Sequence, residues 1–215
     1  MYNFIKKYII LNILINIQIN AYYYPYNPNI HNLGNHGFFG KIHAKLSPIF
    51  TNIVNKNIYK TDIRQDVINM EQKNKTFLDI GCGTGFSTSE NPGSIGIDTS
   101  IPMINEAKSL FPNKNFTVSN IEYWNIKNKF DIVTVMFVFH EIPQISRKKI
   151  INKIKKIAKE KIIIIDIHTD YKPNKLMLSG EPYIMDYLKN IENDLFEFKK
   201  KSLITSRVSM WYLDL

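Results

Sequence analysis

The chain has 215 residues, 44% of them hydrophobic and 22% charged, which suits one globular domain with a substantial core and excludes a disordered chain. Its formal net charge of +9 fits an acidic partner such as nucleic acid or an anionic membrane; solvated lysine in an Ile-, Asn- and Lys-rich chain accounts for it equally well. The single cysteine, Cys82, excludes an internal disulfide and favours a reducing, cytoplasmic setting.

The first segment, residues 1–21, places Lys6 and Lys7 before an apolar stretch from Tyr8 to Ile19, with Ala21 just beyond. This is the outline of a signal or membrane-anchoring segment, although Asn12, Asn16 and Gln18 interrupt it. It is shorter than the roughly 20 apolar residues a spanning helix needs. The alternation from Ile15 to Asn20 also suits an arm packed on the fold. Residues 22–75 read as a loop followed by two helices, about 41–56 and 59–71, together a lid. Tyr22–Gly40 mixes Tyr, Pro, Asn and Gly as loops do. In the first helix Ile42, Leu46, Ile49, Phe50 and Ile53 trace one apolar face, and Pro48 predicts a kink. Arg64 suits either a surface ion pair or the carboxylate of a ligand.

Residues 76–215 alternate strands and helices. Strands are expected near 76–81, 94–98, 115–119, 130–138 and 161–167, and helices near 86–90, 102–110 and 146–160. A helix near 182–190 and strand-like runs at 195–203 and 206–214 complete the chain. Ser146 is the expected N-cap of the basic helix over 146–161, whose Ile150, Ile151, Ile154, Ile157 and Ala158 share one face. The run Ile162-Ile163-Ile164-Ile165 is apolar on both faces, as a strand covered by helices on both sides must be. This order predicts an α/β fold with a doubly wound, mostly parallel sheet.

The most informative run is Phe77-Leu78-Asp79-Ile80-Gly81-Cys82-Gly83-Thr84-Gly85, a buried strand running into three glycines spaced two apart. Such a loop lets bare backbone press against a ligand. The next strand, Ser94-Ile95-Gly96-Ile97-Asp98, ends in a carboxylate 19 residues after Asp79, where a nucleotide-binding unit places an acid for ribose hydroxyls. A nicotinamide fingerprint would need glycine at position 86, where Phe86 stands.

The acidic-x-G-x-G-x-G pattern resembles motif I of the class I S-adenosylmethionine-dependent methyltransferases, and Gly96-Ile97-Asp98 resembles their motif II. The resemblance covers roughly Phe77 to Leu215. It implies a seven-stranded Rossmann-like sheet with the last strand antiparallel, S-adenosylmethionine as cofactor, and methyl transfer as the reaction. By the same resemblance Gly81, Gly83 and Gly85 approach the cofactor's methionine and ribose, with Cys82 a small residue that fits the loop. Asp79 orients the loop and the cofactor's amino group, unless it merely caps a following helix. Asp98 binds the ribose, Thr99 and Ile101 begin an adenine wall, and Asn120-Ile121-Glu122 stands where motif III uses Asp, with the Asn120 amide oxygen accepting from adenine.

Strand 130–138 delivers Phe137 and His140 to the carboxyl edge of the sheet, where ligands sit in parallel folds. Both are pocket candidates, Phe139 is a further one, and His140 has the chemistry of a general base. Alternate spacing of Asp166, His168 and Asp170 imitates a metal cluster, but acids and His at a strand exit also make turns, and no metal is expected. Ser179 and Glu181 suit helix capping or the covering of an acceptor site. The expected acceptor is a small molecule with an aromatic or apolar body. RNA, or a non-catalytic partner-binding role, stands as the alternative.

Overall fold

A computed structural model describes residues 34–71 and 74–215. The N-terminal segment 1–21 and the first part of the loop after it therefore lie outside the described residues. The elements in chain order are α1 (Gly37–Val54) continued by a π turn (Asn55–Tyr59), α2 (Ile63–Met70), β1 (Phe77–Ile80), β2 (Ile95–Asp98), α3 (Ile101–Leu110), β3 (Phe116–Val118) and β4 (Phe130–Met136). A 3-10 turn (Phe139–Glu141) leads into α4 (Gln144–Ile157), β5 (Ala158–Ile167), α5 (Lys175–Gly180), α6 (Ile184–Asp194), β6 (Lys199–Ile204) and β7 (Val208–Asp214).

The strands form one sheet in the order β3-β2-β1-β4-β5-β7-β6. Strands β1 to β5 pair in parallel, and β7 runs antiparallel between β5 and β6. The expected doubly wound α/β sheet of seven strands, with its last strand reversed, is what forms. Strand order reverses at β1, which pairs β2 on one side and β4 on the other. The crevice of such a sheet opens at the carboxyl ends of the strands flanking that reversal.

Period-two alternation sends successive β5 residues into two cores. Ile162 and Ile164 meet Ile150, Ile154, Tyr187 and Ile191 of α4 and α6, while Ile163 and Ile165 meet Ile63 and Val67 of α2. Burying each aliphatic side chain contributes about 1.5–3 kcal/mol, so the covered isoleucine run is a main source of cohesion. A fully buried Arg147 ties α4 to α6: Nε donates to Asp194 and Nη2 to Asp186, both at 2.9 Å, and Nη1 donates to the Ile142 carbonyl at 2.8 Å.

Several local expectations are corrected. No helix forms over 86–90; residues 81–94 connect β1 to β2 through turns. The hydroxyls of Ser87 and Thr88 are spent on Asp79, and Pro92-Gly93 turns the chain before a helix can propagate. The capping reading of Asp79 falls with that helix. Ser146 is not an N-cap, since α4 starts two residues earlier after Pro143; its buried hydroxyl donates to Glu122 at 2.9 Å. The basic helix ends at Ile157, and 158–161 already belong to β5. In α1 the apolar face is not the buried one: Gly40, His43 and Ala44 face inward while Phe50 and Ile49 stay more than half exposed. Pro48 lies inside α1, which continues through it to Val54.

Candidate active site

At the carboxyl ends of β1, β2 and β4 opens a cleft of about 760 Å³. One wall is the loop after β1. Gly81, Gly83 and Gly85 all have positive φ, at 69°, 50° and 90°. Their surroundings differ. A Cβ at Gly81 would lie 2.3 Å from Val138 Cγ2, and one at Gly85 would lie 2.7 Å from the Phe116 ring, but one at Gly83 would meet nothing within 4 Å. Gly83 thus faces open cleft, whereas Gly85 is required for packing and does not line the cavity. The Gly83 N–H donates to Asp98 Oδ2 at 2.9 Å, and the Ser100 N–H donates to Oδ1 at 2.8 Å. Burial outweighs these bonds and raises the Asp98 carboxyl to about 6.

Asp79 lies beneath the loop rather than in the cleft. It is 1% exposed and accepts hydroxyl donors from Ser87 at 2.8 Å, Thr88 at 2.6 Å and Thr134 at 3.1 Å. It braces the loop, and it is not among the residues lining the cavity. Cys82 does line the cleft, and burial holds its thiol well above the ordinary value, so it is protonated and no nucleophile. Thr99 and Ile121 line the cleft with it, but Ile101 turns outward on α3 at 42% exposure.

Asn120 also reaches the cleft, with its expected polarity reversed. Its Oδ1 accepts the Glu122 N–H at 2.9 Å, while its buried Nδ2 has no hydrogen-bond partner among the described residues. The amide therefore offers a donor, and an unsatisfied buried donor costs about 1–3 kcal/mol until a ligand acceptor meets it. An adenine ring nitrogen is such an acceptor.

The opposite wall comes from β4 and β5. Phe137 follows β4 directly in a left-handed conformation, φ 60°, which a bulky residue adopts only under constraint. Its ring stacks on Tyr59 at 6.1 Å and carries the Arg64 guanidinium 4.3 Å from its centroid. Arg64 is thus no surface ion pair. It lines the cleft without a hydrogen bond or ion pair to a described residue, and burial pulls its guanidinium below the ordinary value. Phe139, by contrast, is wholly buried in the core and leaves the cleft to its neighbours.

His140 lines the cleft and is 6% exposed. Its Nδ1 sits 2.6 Å from Asp166 Oδ1, and its backbone N–H donates to Oδ2 at 3.2 Å. Burial alone would lower the imidazole, but the Asp166 charge and hydrogen bond, with Glu141 and Glu181 behind them, hold it up at about 9. Asp166 therefore does not join His168 and Asp170, which instead form a local turn in which the Asp170 N–H donates to His168 at 3.0 Å. Among the described residues, His140, Glu141 and Glu181 bring one donor atom each within 4.8 Å of one another. Glu181 is buried in the cleft wall, while Asn174 caps α5 and the Ser179 hydroxyl donates to the Leu176 carbonyl.

Sequence reasoning missed three contributors: Asp166 as the partner of His140, Tyr59 as the partner of Phe137, and Arg207 on the hairpin lip. Asp166 was detectable in principle, because β4 and β5 are adjacent and their carboxyl ends coincide. Nothing in the sequence marks Tyr59 or Arg207.

Residues 77–161 match the family described as "Methyltransferase domain". That stretch runs from β1 into β5, the parallel part of the sheet. It is 35% identical over 143 residues to "Putative methyltransferase 235L" of Invertebrate iridescent virus 6, covering 57% of this chain and 53% of that protein. The chain spans about half the length, or less, of the curated relatives it matches. Among solved structures, an S-adenosylmethionine-dependent methyltransferase from Clostridium acetobutylicum superposes with a TM-score of 0.60 at 14% identity, covering 81% of this chain and 99% of that one. Magnesium protoporphyrin IX methyltransferase from Synechocystis, with bound SAH, gives 0.50 at 15% identity over 84% and 89%. At such identities the structural likenesses establish the fold. Gly83, Asp98, Asn120, Phe137, His140 and Arg64 all line this one cleft.

Proposed function

We propose that this chain transfers a methyl group from S-adenosylmethionine to a small-molecule acceptor with an apolar or aromatic body. The observation that carries this reading is the open space beside Gly83, close to the Asp98 carboxylate and lining the same cleft as Asn120, whose Nδ2 has no partner among the described residues. Bare backbone, an anionic acceptor for vicinal hydroxyls and a donor for a ring nitrogen suit an adenosyl group. When bound, S-adenosylmethionine supplies an electrophilic methyl group on a sulfonium centre. The remaining parts belong to the chain. The Arg64 guanidinium, without an ion pair among the described residues, suits a ligand carboxylate, from the cofactor or from the acceptor. Phe137 and Tyr59 give a planar body a stacking surface.

Bond formation at the methyl carbon and loss of the C–S bond need alignment more than covalent help, and alignment supplies about 7–11 kcal/mol in favourable cases. His140, with Nδ1 committed to Asp166, has Nε2 left for the acceptor. At neutral pH it holds its proton and acts as a donor that positions the acceptor; above about pH 9 it is free to accept the nucleophile's proton. Residues of α1 and the segment around Tyr171–Glu181 flank the cleft and serve as its lid. RNA is disfavoured because the lysines of α4 are largely engaged: Lys149 with Glu122, Lys155 with Glu197, and Lys159 just beyond with Asp131.

Parallel calorimetric titration with S-adenosylmethionine and NAD tests the cofactor, with binding expected of the first alone. Tight NAD binding with indifference to S-adenosylmethionine overturns it. For the acceptor side, activity should rise with pH towards about 9, and His140→Ala should remove that dependence. An unchanged pH–rate profile in the variant rules the base role out.

A further inference from the structure

Helix α1 carries a surface that the fold leaves exposed and of which only Phe50 borders the cleft. Phe38, Phe39, Ile42, Ile49, Phe50 and Ile53 are all exposed, from 36% at Ile42 to 72% at Phe38. At about 100° per residue they fall, with Leu46, inside a single arc of about 120°, so they make one continuous stripe rather than scattered apolar residues. An exposed contiguous apolar patch of this kind marks an interaction site. Within the segment itself the charge has one sign, although Lys45 pairs with Glu106 of α3 at 2.6 Å. Residues 34–60 contain Lys41, Lys45, Lys56 and Lys60 and no Asp or Glu. Lys41 and Lys45 project just beyond one border of the stripe, at about 300° and 340° on the same wheel.

An apolar stripe edged by lysines, on a helix 18 residues long, is the pattern of a helix lying in the plane of an anionic membrane surface. It does not suit a spanning helix: no helix among the described residues is long and apolar enough to cross a membrane. A protein groove would match the apolar arc but would not by itself account for the uniform positive charge. The stripe is also continuous with the cleft, because exposed Phe50 and Ile58 both line it.

We propose that α1 docks on an anionic lipid surface through this stripe, seating the mouth of the cleft against the bilayer. The docking stands on the exposed residues and their charge, and does not depend on the methyl-transfer reading. The full chain should co-sediment with vesicles of phosphatidylcholine mixed with phosphatidylglycerol at least about tenfold better than with vesicles of phosphatidylcholine alone. Phe39→Ser combined with Ile53→Ser should abolish that binding while leaving the thermal midpoint unchanged, because both residues are exposed. Lys41→Glu with Lys56→Glu should remove the preference for anionic lipid. Absence of binding to either vesicle overturns the proposal. So does undiminished binding of the serine variant, which would place the contact elsewhere, for instance in residues 1–33. A dimer in light scattering that the same serine substitutions dissolve would assign the stripe to a second copy of the chain and overturn it equally.

Discussion

The three glycines after β1 look equivalent in sequence and are not equivalent in space, so alanine at Gly83 and at Gly85 should fail in different ways. A methyl group at Gly83 meets nothing within 4 Å, and the only cost to the fold is holding alanine at φ 50°. Left-handed placement costs about 1–2 kcal/mol. For a chain of this size that lowers the melting midpoint by roughly 2–8 °C. The new methyl projects into the space assigned to the adenosyl group, where overpacking of about 1–3 kcal/mol is expected. That corresponds to roughly five- to 150-fold weaker binding of S-adenosylhomocysteine. At Gly85 the methyl would lie 2.7 Å from Phe116 Cζ and 3.1 Å from Phe111, inside a packed cluster, at φ 90°. The strain and the overlap together come to about 2–5 kcal/mol, a large share of the stability of an ordinary domain. Calorimetry of both variants, with melting curves alongside, separates the two effects. Gly83→Ala should remain folded and bind poorly; Gly85→Ala should melt early. If Gly83→Ala binds S-adenosylhomocysteine as tightly as the parent chain, the open space beside that residue is not the cofactor's, and the assignment of this wall of the cleft is wrong.

Asp98 predicts a pH dependence of affinity: its carboxyl titrates at about 6 when folded, so cofactor binding should weaken as pH falls through 6, and Asp98→Asn should flatten that profile in calorimetric titrations. The stability sign is opposite, because the folded pKa lies above the unfolded value of 3.8: the group favours the ligand-free fold most below pH 3.8 and loses that contribution as pH rises through 6. Arg147→Met should cost about 3–5 kcal/mol, because it strands Asp194, which is buried, and the Ile142 carbonyl without their donor. A urea melt that moves by less than about 1 kcal/mol would mean that the α4–α6 contact is held by apolar packing alone.

Much of the fold was legible because its signals are local and repeated. Isoleucine runs announce strands covered on both faces, and the strand-helix alternation permits few topologies other than a doubly wound sheet. The misplaced pieces share a cause. Phe86 to Gly93 has the length of a short helix, yet its hydroxyls answer to Asp79, one strand away, and no window of sequence displays that claim. The apolar face of α1 has helical periodicity but not the burial that periodicity usually signals. What faces inward there is Gly40, His43 and Ala44, small or polar residues set against the crossing of α1 over α3.

The site divides along the same line. That Gly83 and Asp98 meet was readable, because a glycine loop and an acid sit at fixed separation after consecutive parallel strands. The wall around His140 was not, because it is assembled from strand ends distant in sequence, and proximity there follows from sheet order. His140 and Asp166 are 26 residues apart and meet only because β4 and β5 are neighbours with coincident carboxyl ends. That meeting changes the chemistry as well as the geometry. An isolated histidine would titrate near neutrality and suit a general base, whereas one facing Asp166, Glu141 and Glu181 keeps its proton to about 9 and first acts as a donor. Asn120 shows the same effect on a smaller scale. Its residue type suggested an acceptor for adenine, but the Glu122 N–H two residues on takes the oxygen and turns the amide into a donor. In each case residue type supplied the available chemistry, and the neighbours imposed by the sheet selected which part of it faces the cleft.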